Sequence, residues 1–201
     1  MGKMKNITVF CGSSAGFDSV FTERARQLGA ELALRGIGIV YGGARVGLMG
    51  QLADAALQAG GRVTGVLPRF LQAKEIAHEG LTELVLVDSM HERKTRMNEL
   101  SDGVIALPGG FGTLEEFFEM LTWGQLGLHR KPVALLNING FWDPLLTLAN
   151  NMVSAGFLRE ANRTMILAEE NITVLIDRMQ AYQAPAGEKW IGRGEGTMQK
   201  T

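Results

Sequence analysis

Short runs of β-branched and other apolar residues alternate with longer segments of helical spacing along this chain, and this alternation limits its possible folds more than any other feature. Parallel strands need crossover connections, and because both faces of a parallel sheet are covered, such strands appear as continuous apolar runs. The pattern predicts an α/β fold, a Rossmann-like parallel sheet with helices on both faces. The predicted strands are residues 6–11, 36–41, 62–67, 82–87, 103–107 and 132–137.

Length, composition and charge favour one domain without an affinity for polyanions. At 201 residues, of which 46% are hydrophobic, the chain is long enough for one sizeable core and too short to require two. We expect a single domain over residues 1–183 and a flexible tail over residues 184–201, where glycine and charge are frequent and periodicity is lost. The formal net charge of -1 provides no global field that would recruit nucleic acid or an anionic membrane.

The N-terminal residues and the single cysteine predict the compartment. The first apolar run has five residues, fewer than the roughly 7–15 of a signal-peptide core. No segment approaches the ~18 apolar residues of a membrane span. Cys11 has no partner for a disulfide, and no Cys/His cluster has zinc-site spacing. We therefore expect a cytoplasmic protein without metal or cofactor, in which Cys11 is a small buried strand residue.

Glycine is concentrated in three loops that each leave a predicted strand and enter a predicted helix. The chain has 26 glycines in 201 residues, well above the roughly 7% of average usage. The loops could be no more than tight turns. Because parallel strands end at the same edge of the sheet, we predict instead that the loop amides converge on one anion there. The three loops are CGSSAG at 11–16, YGGARVGLMG at 41–50 and LPGGFGT at 107–113.

Two common phosphate-binding fingerprints do not fit these loops. A dinucleotide site needs G-x-G-x-x-G in the first strand-to-helix turn, but that turn reads CGSSAGF. The spacing that starts at Gly110 has Glu115 at the third glycine position, where a carboxylate would oppose a pyrophosphate. A Walker A loop fails because Leu48 and Met49 replace the required Lys and Ser or Thr. NAD binding and ATP hydrolysis are disfavoured, and a nucleoside monophosphate remains compatible.

The segment DSMHERKTRMNELSDG places a charge on an apolar helix face. At about 100° per residue, Met90, Arg93, Met97 and Leu100 share one stripe. Arg93 therefore needs a partner, which is either a structural salt bridge or an anionic ligand group held bidentately. Lys94 flanks the same stripe and is either a solvated surface lysine or a second contact to the anion.

Other polar residues nearby have structural explanations. Ser89 and Glu92 have the S-x-x-E spacing of a capping box, so we expect Glu92 to cap the helix start. His91 lies off the apolar stripe, and no partner can be identified for His78 or His129. We assign no catalytic role to the three histidines.

The stretch LPGGFGTLEEFFEM combines a bare helix start with carboxylates. Thr113 and Glu116 also have capping-box spacing, which would explain both residues. It would not explain Pro108 and the three glycines, which strip side chains from the helix N-terminus and let a ligand approach its amides. A ligand with phosphate at one end and an electrophilic carbon at the other would use both features, with Glu116 meeting the sugar one turn deeper.

The sequence PGGFGTLEE, with SMHERK upstream, closely resembles the LONELY GUY family of cytokinin-activating phosphoribohydrolases, which are often labelled lysine decarboxylases. The resemblance covers about residues 5–180. It implies a homodimer or higher homo-oligomer that hydrolyses the N-glycosidic bond of a nucleoside 5'-monophosphate. The substrate would be AMP or an N6-modified AMP such as a cytokinin riboside 5'-monophosphate, and the products would be the free base and ribose 5-phosphate.

Carried over residue by residue, the resemblance implies that Arg93 and Glu116 are the catalytic pair. Many members have a third glycine where this chain has Ala44, so the detail of that loop differs. Glu75 is similar to the family's base-contacting acid. The substrate-binding positions implied by the resemblance are Ser13, Gly42, Gly43, Glu75, Met90, Lys94, Gly109, Gly110, Gly112 and Thr113, of which the last four would bind phosphate.

Cleavage of a glycosidic bond builds oxocarbenium-like charge at C1', which a carboxylate such as Glu116 can stabilise while it orients the attacking water. Arg93 would fix phosphate or sugar and hold Glu116 in position. Two rivals stay open, a non-catalytic nucleotide sensor or carrier and a broader glycosidase that acts on AMP or another monophosphate. Decarboxylation is disfavoured, because pyridoxal phosphate needs a Schiff-base lysine near the anion cradle and Lys94 is the only lysine so placed.

Overall fold

The structure, a computed structural model, describes residues 4–72 and 77–185, and the strands within them form one parallel sheet. All six strand pairings in this sheet are parallel. The order across the sheet is β4-β3-β2-β1-β5-β6-β7. The strands are β1 (Asn6–Phe10), β2 (Gly38–Tyr41), β3 (Val63–Pro68), β4 (Glu83–Val87), β5 (Gly103–Ala106), β6 (Val133–Leu136) and β7 (Ile166–Glu169).

Helices connect successive strands. Among the described residues, three of them begin with a side chain that caps a free amide: Asp18 accepts from Val20 N–H, Ser89 from Glu92 N–H and Asn171 from Val174 N–H. The helices are α1 (Ser19–Leu34), α2 (Gly47–Gln58), α3 (Arg69–Gln72), α4 (Met90–Glu99), α5 (Phe111–Gln125), α6 (Asp143–Ser154), α7 (Glu160–Arg163) and α8 (Ile172–Ala181), with a 3₁₀ turn at Ile138–Gly140.

Two apolar layers lie on opposite faces of the sheet. Helices α1, α2 and α8 pack on one face around Leu28, Leu52 and Leu175, all fully buried. Helices α4, α5 and α6 pack on the other face around Met97 and Phe117. Alternate strand residues point to the two layers, as the period of two in a strand requires. The fold is therefore the predicted Rossmann-like sheet with helices on both faces.

The strand order reverses at β1, which pairs with β2 on one side and with β5 on the other. In open parallel sheets, ligands bind outside the carboxyl ends of the strands at this switch point. The loops that follow β1 and β5 are two of the three glycine loops singled out in the sequence. The topology thus places residues 11–16 and 107–113 at the edge of the sheet where a ligand is expected.

The predicted strands agree with the observed ones to within two residues at each end. The seventh strand, β7, was not predicted, because only Ile166 and Leu167 of its four residues are apolar enough to be buried and no long run marks it. No helix among the described residues is long and apolar enough to cross a membrane. Most of the predicted tail, residues 186–201, lies outside the described residues, as do residues 1–3 and 73–76.

Candidate active site

The three glycine loops contact one another at the carboxyl ends of the strands. Gly12 N–H donates to the carbonyl of Pro108 at 3.0 Å, which joins the loops after β1 and β5. Leu48 N–H donates to the carbonyl of Gly12 at 3.1 Å, which adds the loop after β2. A Cβ on Gly47 would lie 2.3 Å from the carbonyl carbon of Ser13, so only glycine permits this approach. The predicted convergence of the loops is therefore present.

The N-terminus of α5 is open and carries no side-chain cap. The helix begins at Phe111 with Gly110 as N-cap residue, three residues before the capping box would place its start. Thr113 is thus the third helical residue, and the capping-box explanation of Thr113 and Glu116 is wrong. The first amides of a helix have no intrahelical acceptor. Gly110 and Gly112 leave the space beside these amides free, since an added Cβ on either would meet nothing within 4 Å.

Thr113 folds back on the start of the loop. It is 4% exposed, and a Cβ on Gly109 would lie 2.1 Å from its Oγ1 atom. Glycine at 109 therefore makes room for the threonine side chain. Thr113 thus packs the first turn of α5 against the loop that follows β5.

The start of α4 is fixed by the predicted cap. The Ser89 Oγ atom accepts from Glu92 N–H at 3.0 Å, and the Glu92 carboxylate accepts from Asp88 N–H at 2.7 Å. In a usual capping box this second donor is the N–H of the N-cap residue, which here is Ser89, one residue later. His91 is exposed, as expected for a residue off the apolar stripe. This cap orients the first turns of α4 and so directs Arg93 towards α5.

Arg93 and Glu116 face each other across the space between α4 and α5. Arg93 Nη1 lies 4.0 Å from Glu116 Oε1, beyond hydrogen-bond reach, and the two side chains are 12% and 13% exposed. Among the described residues, the buried Nε of Arg93 has no hydrogen-bond partner. Its Nη1 donates to the Met90 sulfur at 3.8 Å. A buried guanidinium with unused donors, close to a carboxylate but not bonded to it, can hold an anionic or hydroxyl group between them.

Gly42 makes the position of Arg93 possible. A Cβ on Gly42 would lie 2.0 Å from Arg93 Nη2, so the guanidinium packs directly on the backbone after β2. Gly43 follows with φ of +75°, a left-handed conformation that glycine adopts without strain. These two predicted binding residues thus shape the loop beside Arg93.

Burial changes the acidity of groups at the site. Desolvation raises the pKa of Glu116 to about 7, although Arg93 acts in the opposite direction. Burial also raises the pKa of the Cys11 thiol, with a further contribution from Glu116. Near neutral pH, Glu116 can therefore exchange a proton, whereas Cys11 stays a thiol and is no candidate nucleophile.

Lys94 points to carboxylates of α5. Its Nζ atom lies 2.5 Å from Glu115 Oε1 and 3.0 Å from Glu119 Oε2, and its side chain is 13% exposed. Burial lowers the pKa of Lys94, but its pairing with the carboxylates of Glu115 and Glu119 outweighs burial and raises the pKa overall. Lys94 is therefore not the solvated surface lysine considered from the sequence.

The remaining predicted residues differ in their placement. Ser13 is exposed in the loop after β1, and Met90 is 40% exposed at the start of α4. Glu75 lies outside the described residues. Among the described residues, no group of three or more His, Cys, Asp or Glu side chains could hold a metal ion.

Two histidines have partners that were not identified from the sequence. His78 Nε2 lies 3.0 Å from Asp54 Oδ1, and its Nδ1 accepts from Gly80 N–H at 3.0 Å. His129 Nε2 lies 2.9 Å from the Met120 carbonyl. The sequence identifies no partner for His78 or His129, and the structure supplies one for each. Neither pairing carries a signal in sequence, because the partners lie on other elements.

His78 also ties two loops together. Its N–H donates to the carbonyl of Gly43 at 2.9 Å, and Ala77 forms an isolated antiparallel bridge with Ala44. The segment before β4 is thus attached to the loop after β2. This attachment holds residues 77–78 against the loop after β2, next to the backbone on which Arg93 packs.

Sequence comparison finds relatives over most of the chain. Residues 49–179 match a family described as "Possible lysine decarboxylase". A cytokinin riboside 5'-monophosphate phosphoribohydrolase of Rhodococcoides fascians is 50% identical over 84% of this chain and 85% of its own length. A probable cytokinin riboside 5'-monophosphate phosphoribohydrolase of Oryza sativa subsp. japonica is 48% identical over 90% of this chain and 81% of its own length.

Comparison with solved structures supports the fold alone. The molybdenum cofactor binding protein from the phototrophic bacterium Rippkaea orientalis superposes with a TM-score of 0.67 and 23% sequence identity, over 89% of this chain and 97% of that one. At this identity, a shared sheet and helix arrangement does not carry over what the other protein binds.

Proposed function

We propose that this chain, which belongs to the LONELY GUY family of cytokinin riboside 5'-monophosphate phosphoribohydrolases, hydrolyses the N-glycosidic bond of nucleoside 5'-monophosphates. The products would be the free base and ribose 5-phosphate. The observation that carries the proposal is the buried Arg93–Glu116 pair beside the open N-terminus of α5. A binder of phosphate alone has no need of a carboxylate at this depth.

The phosphate would bind at the start of α5. The amides of Gly109, Gly110, Gly112 and Thr113 offer donors at the positive end of the helix dipole, and the glycines leave them accessible. With phosphate anchored there, the ribose would extend towards Glu116, which lies one turn further along the helix. Ser13, Gly42 and Gly43 would line the same crevice from the other two loops, and Met90 would also contact the substrate. The family resemblance implies that Glu75, which lies outside the described residues, contacts the base.

Glu116 would act on the reacting carbon and on water. Its carboxylate would stabilise the positive charge that develops at C1' and would accept a proton from the attacking water. A pKa of about 7 suits a group that must lose a proton and take one up near neutral pH. Arg93 would hold the phosphate or a ribose hydroxyl and keep it aligned with Glu116.

The family's alternative label, lysine decarboxylase, conflicts with the environment of Lys94. A Schiff-base lysine must reach the neutral amine form to attack an aldehyde. The amine of Lys94 is bound by two carboxylates, which favour its charged form. We therefore do not extend decarboxylation to this chain.

The proposal includes a homodimer in the cytoplasm. Apolar side chains remain exposed along α5 and just beyond it, at Phe111, Phe118, Leu126 and Leu128. A second copy seated on this surface would lie beside the candidate site, because Phe111 belongs to the glycine loop at 107–113. A single buried cysteine suits a reducing compartment.

A substrate panel tests the proposed activity. Purified protein should release base and ribose 5-phosphate from AMP and N6-modified AMP without added metal, and it should act poorly on the corresponding nucleosides, which lack the phosphate anchor. Liquid chromatography of bases and of ribose 5-phosphate measures both products. Equal turnover of nucleosides and monophosphates would contradict the phosphate anchor. Binding of monophosphates without any turnover would favour the sensor or carrier.

A further inference from the structure

A second charge cluster lies directly beside Glu116. Lys94 on α4 bridges Glu115 and Glu119 on α5, the residues one before and three after Glu116. Glu115 is 56% exposed and Glu119 is 22% exposed, whereas Lys94 itself is largely buried. The bridge therefore joins the two helices that carry the proposed catalytic pair, at positions adjacent in sequence to both members of that pair.

The acids of α5 would repel one another without this cation. Glu115 and Glu119 are four residues apart on a helix, a spacing at which like charges are destabilising. The charged groups near Glu116 are Arg93 and Lys94 on α4 and Glu115 and Glu119 on α5, and the thiol of Cys11, at the end of β1, adds a neutral neighbour. With Glu116 ionised, two cations face three carboxylates. Loss of Lys94 would leave one cation against three.

We propose that Lys94 is a positioning residue for the Arg93–Glu116 pair, which acts by bridging Glu115 and Glu119 and by offsetting their charge, and that it does not bind the substrate phosphate. The bridge fixes α4 against α5 where Arg93 and Glu116 stand 4.0 Å apart. The offset charge keeps Glu116 able to ionise near neutral pH. This role differs from the phosphate contact that the family resemblance implies for Lys94, and its kinetic consequences rest on the proposed function.

The decisive measurement is the titration of the Glu116 carboxyl group. The protein is labelled with ¹³C at glutamate Cδ, and the Glu116 signal is assigned by its loss in Glu116→Gln. In Lys94→Gln, the midpoint should rise by about one pH unit relative to wild type, since an opposite charge nearby typically shifts a carboxyl by 1–3 units. In Glu119→Gln, it should fall, because one repelling carboxylate is gone.

Two variants control for general effects of substitution. Lys94→Arg keeps a cation that can reach both carboxylates, so the midpoint should stay within a few tenths of a unit of wild type. Arg96→Gln removes a cation from α4 that pairs with Glu99 at 3.1 Å instead of facing Glu116, and it should leave the midpoint in place. If Lys94→Gln fails to fold, the other two variants test the proposal. The Glu116 midpoint should be lower in Glu119→Gln and unchanged in Lys94→Arg, and a different result in either variant would overturn the role of the bridge.

Kinetics separate this role from phosphate binding. For AMP, the pH at which kcat falls on the acid side of its profile should be higher in Lys94→Gln than in wild type, with less than about a threefold rise in KM. In Lys94→Arg, this pH should return to the wild-type value. An unmoved Glu116 midpoint, or a large rise in KM for AMP with this pH unchanged, would overturn the proposal. If no nucleotide is turned over, the proposed function fails, but the carboxyl titration still decides the role of Lys94 because it requires no turnover.

Discussion

Burial of Glu116 destabilises its charged form, so its protonation state affects the free energy of unfolding as well as its chemistry. Burial raises the pKa of Glu116 from 4.5 to about 7. The protonated side chain thus favours the folded state fully below about pH 4.5, and this contribution is lost as the pH rises through about 7. A group kept at such a cost, with no direct bond to Arg93, is typical of a catalytic position.

Glu116→Gln should separate activity from stability at this residue. The amide keeps the size of the side chain but cannot carry the charge, so turnover of AMP should fall about 10²–10³-fold. Because Gln never ionises, the variant should melt at a higher temperature than wild type at pH 8, and the difference should shrink towards pH 5. Melting curves at several pH values and AMP turnover measure both effects.

Glu99→Gln provides the matched control for that experiment. Glu99 is an exposed acid on α4 that pairs with Arg96, so its loss should change neither turnover nor the pH dependence of melting appreciably. Near-wild-type turnover by Glu116→Gln would show that the carboxylate is structural. In that case, the proposed mechanism fails even if the fold is as described.

At the scale of elements, glycine at the start of α5 has different effects on helix stability and on access to the helix amides. Gly112 is the second residue of the helix, and an added Cβ would meet no protein atom within 4 Å. Ala is a better helix former than Gly by up to about 1 kcal/mol. The protein alone therefore gives no reason for glycine at this position.

Gly112→Ala should consequently stabilise the protein slightly and weaken its binding of monophosphates. The methyl group would crowd a phosphate on the helix amides, so KM for AMP should rise while any turnover of free adenosine stays unchanged. Chemical denaturation measures the stability, and paired AMP and adenosine kinetics measure the binding. An unchanged KM for AMP would contradict phosphate binding at the first amides of α5.

The same elements show how much could be predicted from sequence. Apolar runs predicted six strands and glycine patterns predicted the three converging loops, because both depend on local residue types. The capping-box alternative for Thr113 and Glu116 is wrong because Gly110 is the N-cap residue and has no side chain, so the spacing of the two residues matches a capping box by coincidence. The partners of Lys94 could not be predicted, because they depend on the register between two helices that is set only by the packed core.

At the scale of the whole molecule, a single copy leaves apolar side chains exposed on the outer side of α5. Helix α5 packs Phe117 and Met120 into the core, while Phe118 on its outer side is 37% exposed and Leu126 is 55% exposed. If a second copy covers this surface, wild-type protein should scatter light as a dimer at micromolar concentration. A partner over α5 would also shield the neighbouring site from bulk water.

Phe118→Glu should then yield a monomer, because a charge in the centre of an apolar interface is strongly unfavourable. Leu34→Glu is the matched control, since Leu34 is 77% exposed at the end of α1, on the opposite face of the sheet. It introduces the same charge and should remain dimeric. Light scattering coupled to size exclusion measures the mass, and circular dichroism confirms that both variants stay folded. A wild-type monomer would contradict the dimer outright. A folded Phe118→Glu variant that stays dimeric would show that the dimer interface does not include Phe118 on α5. The exposed apolar side chains of α5 would then need another explanation.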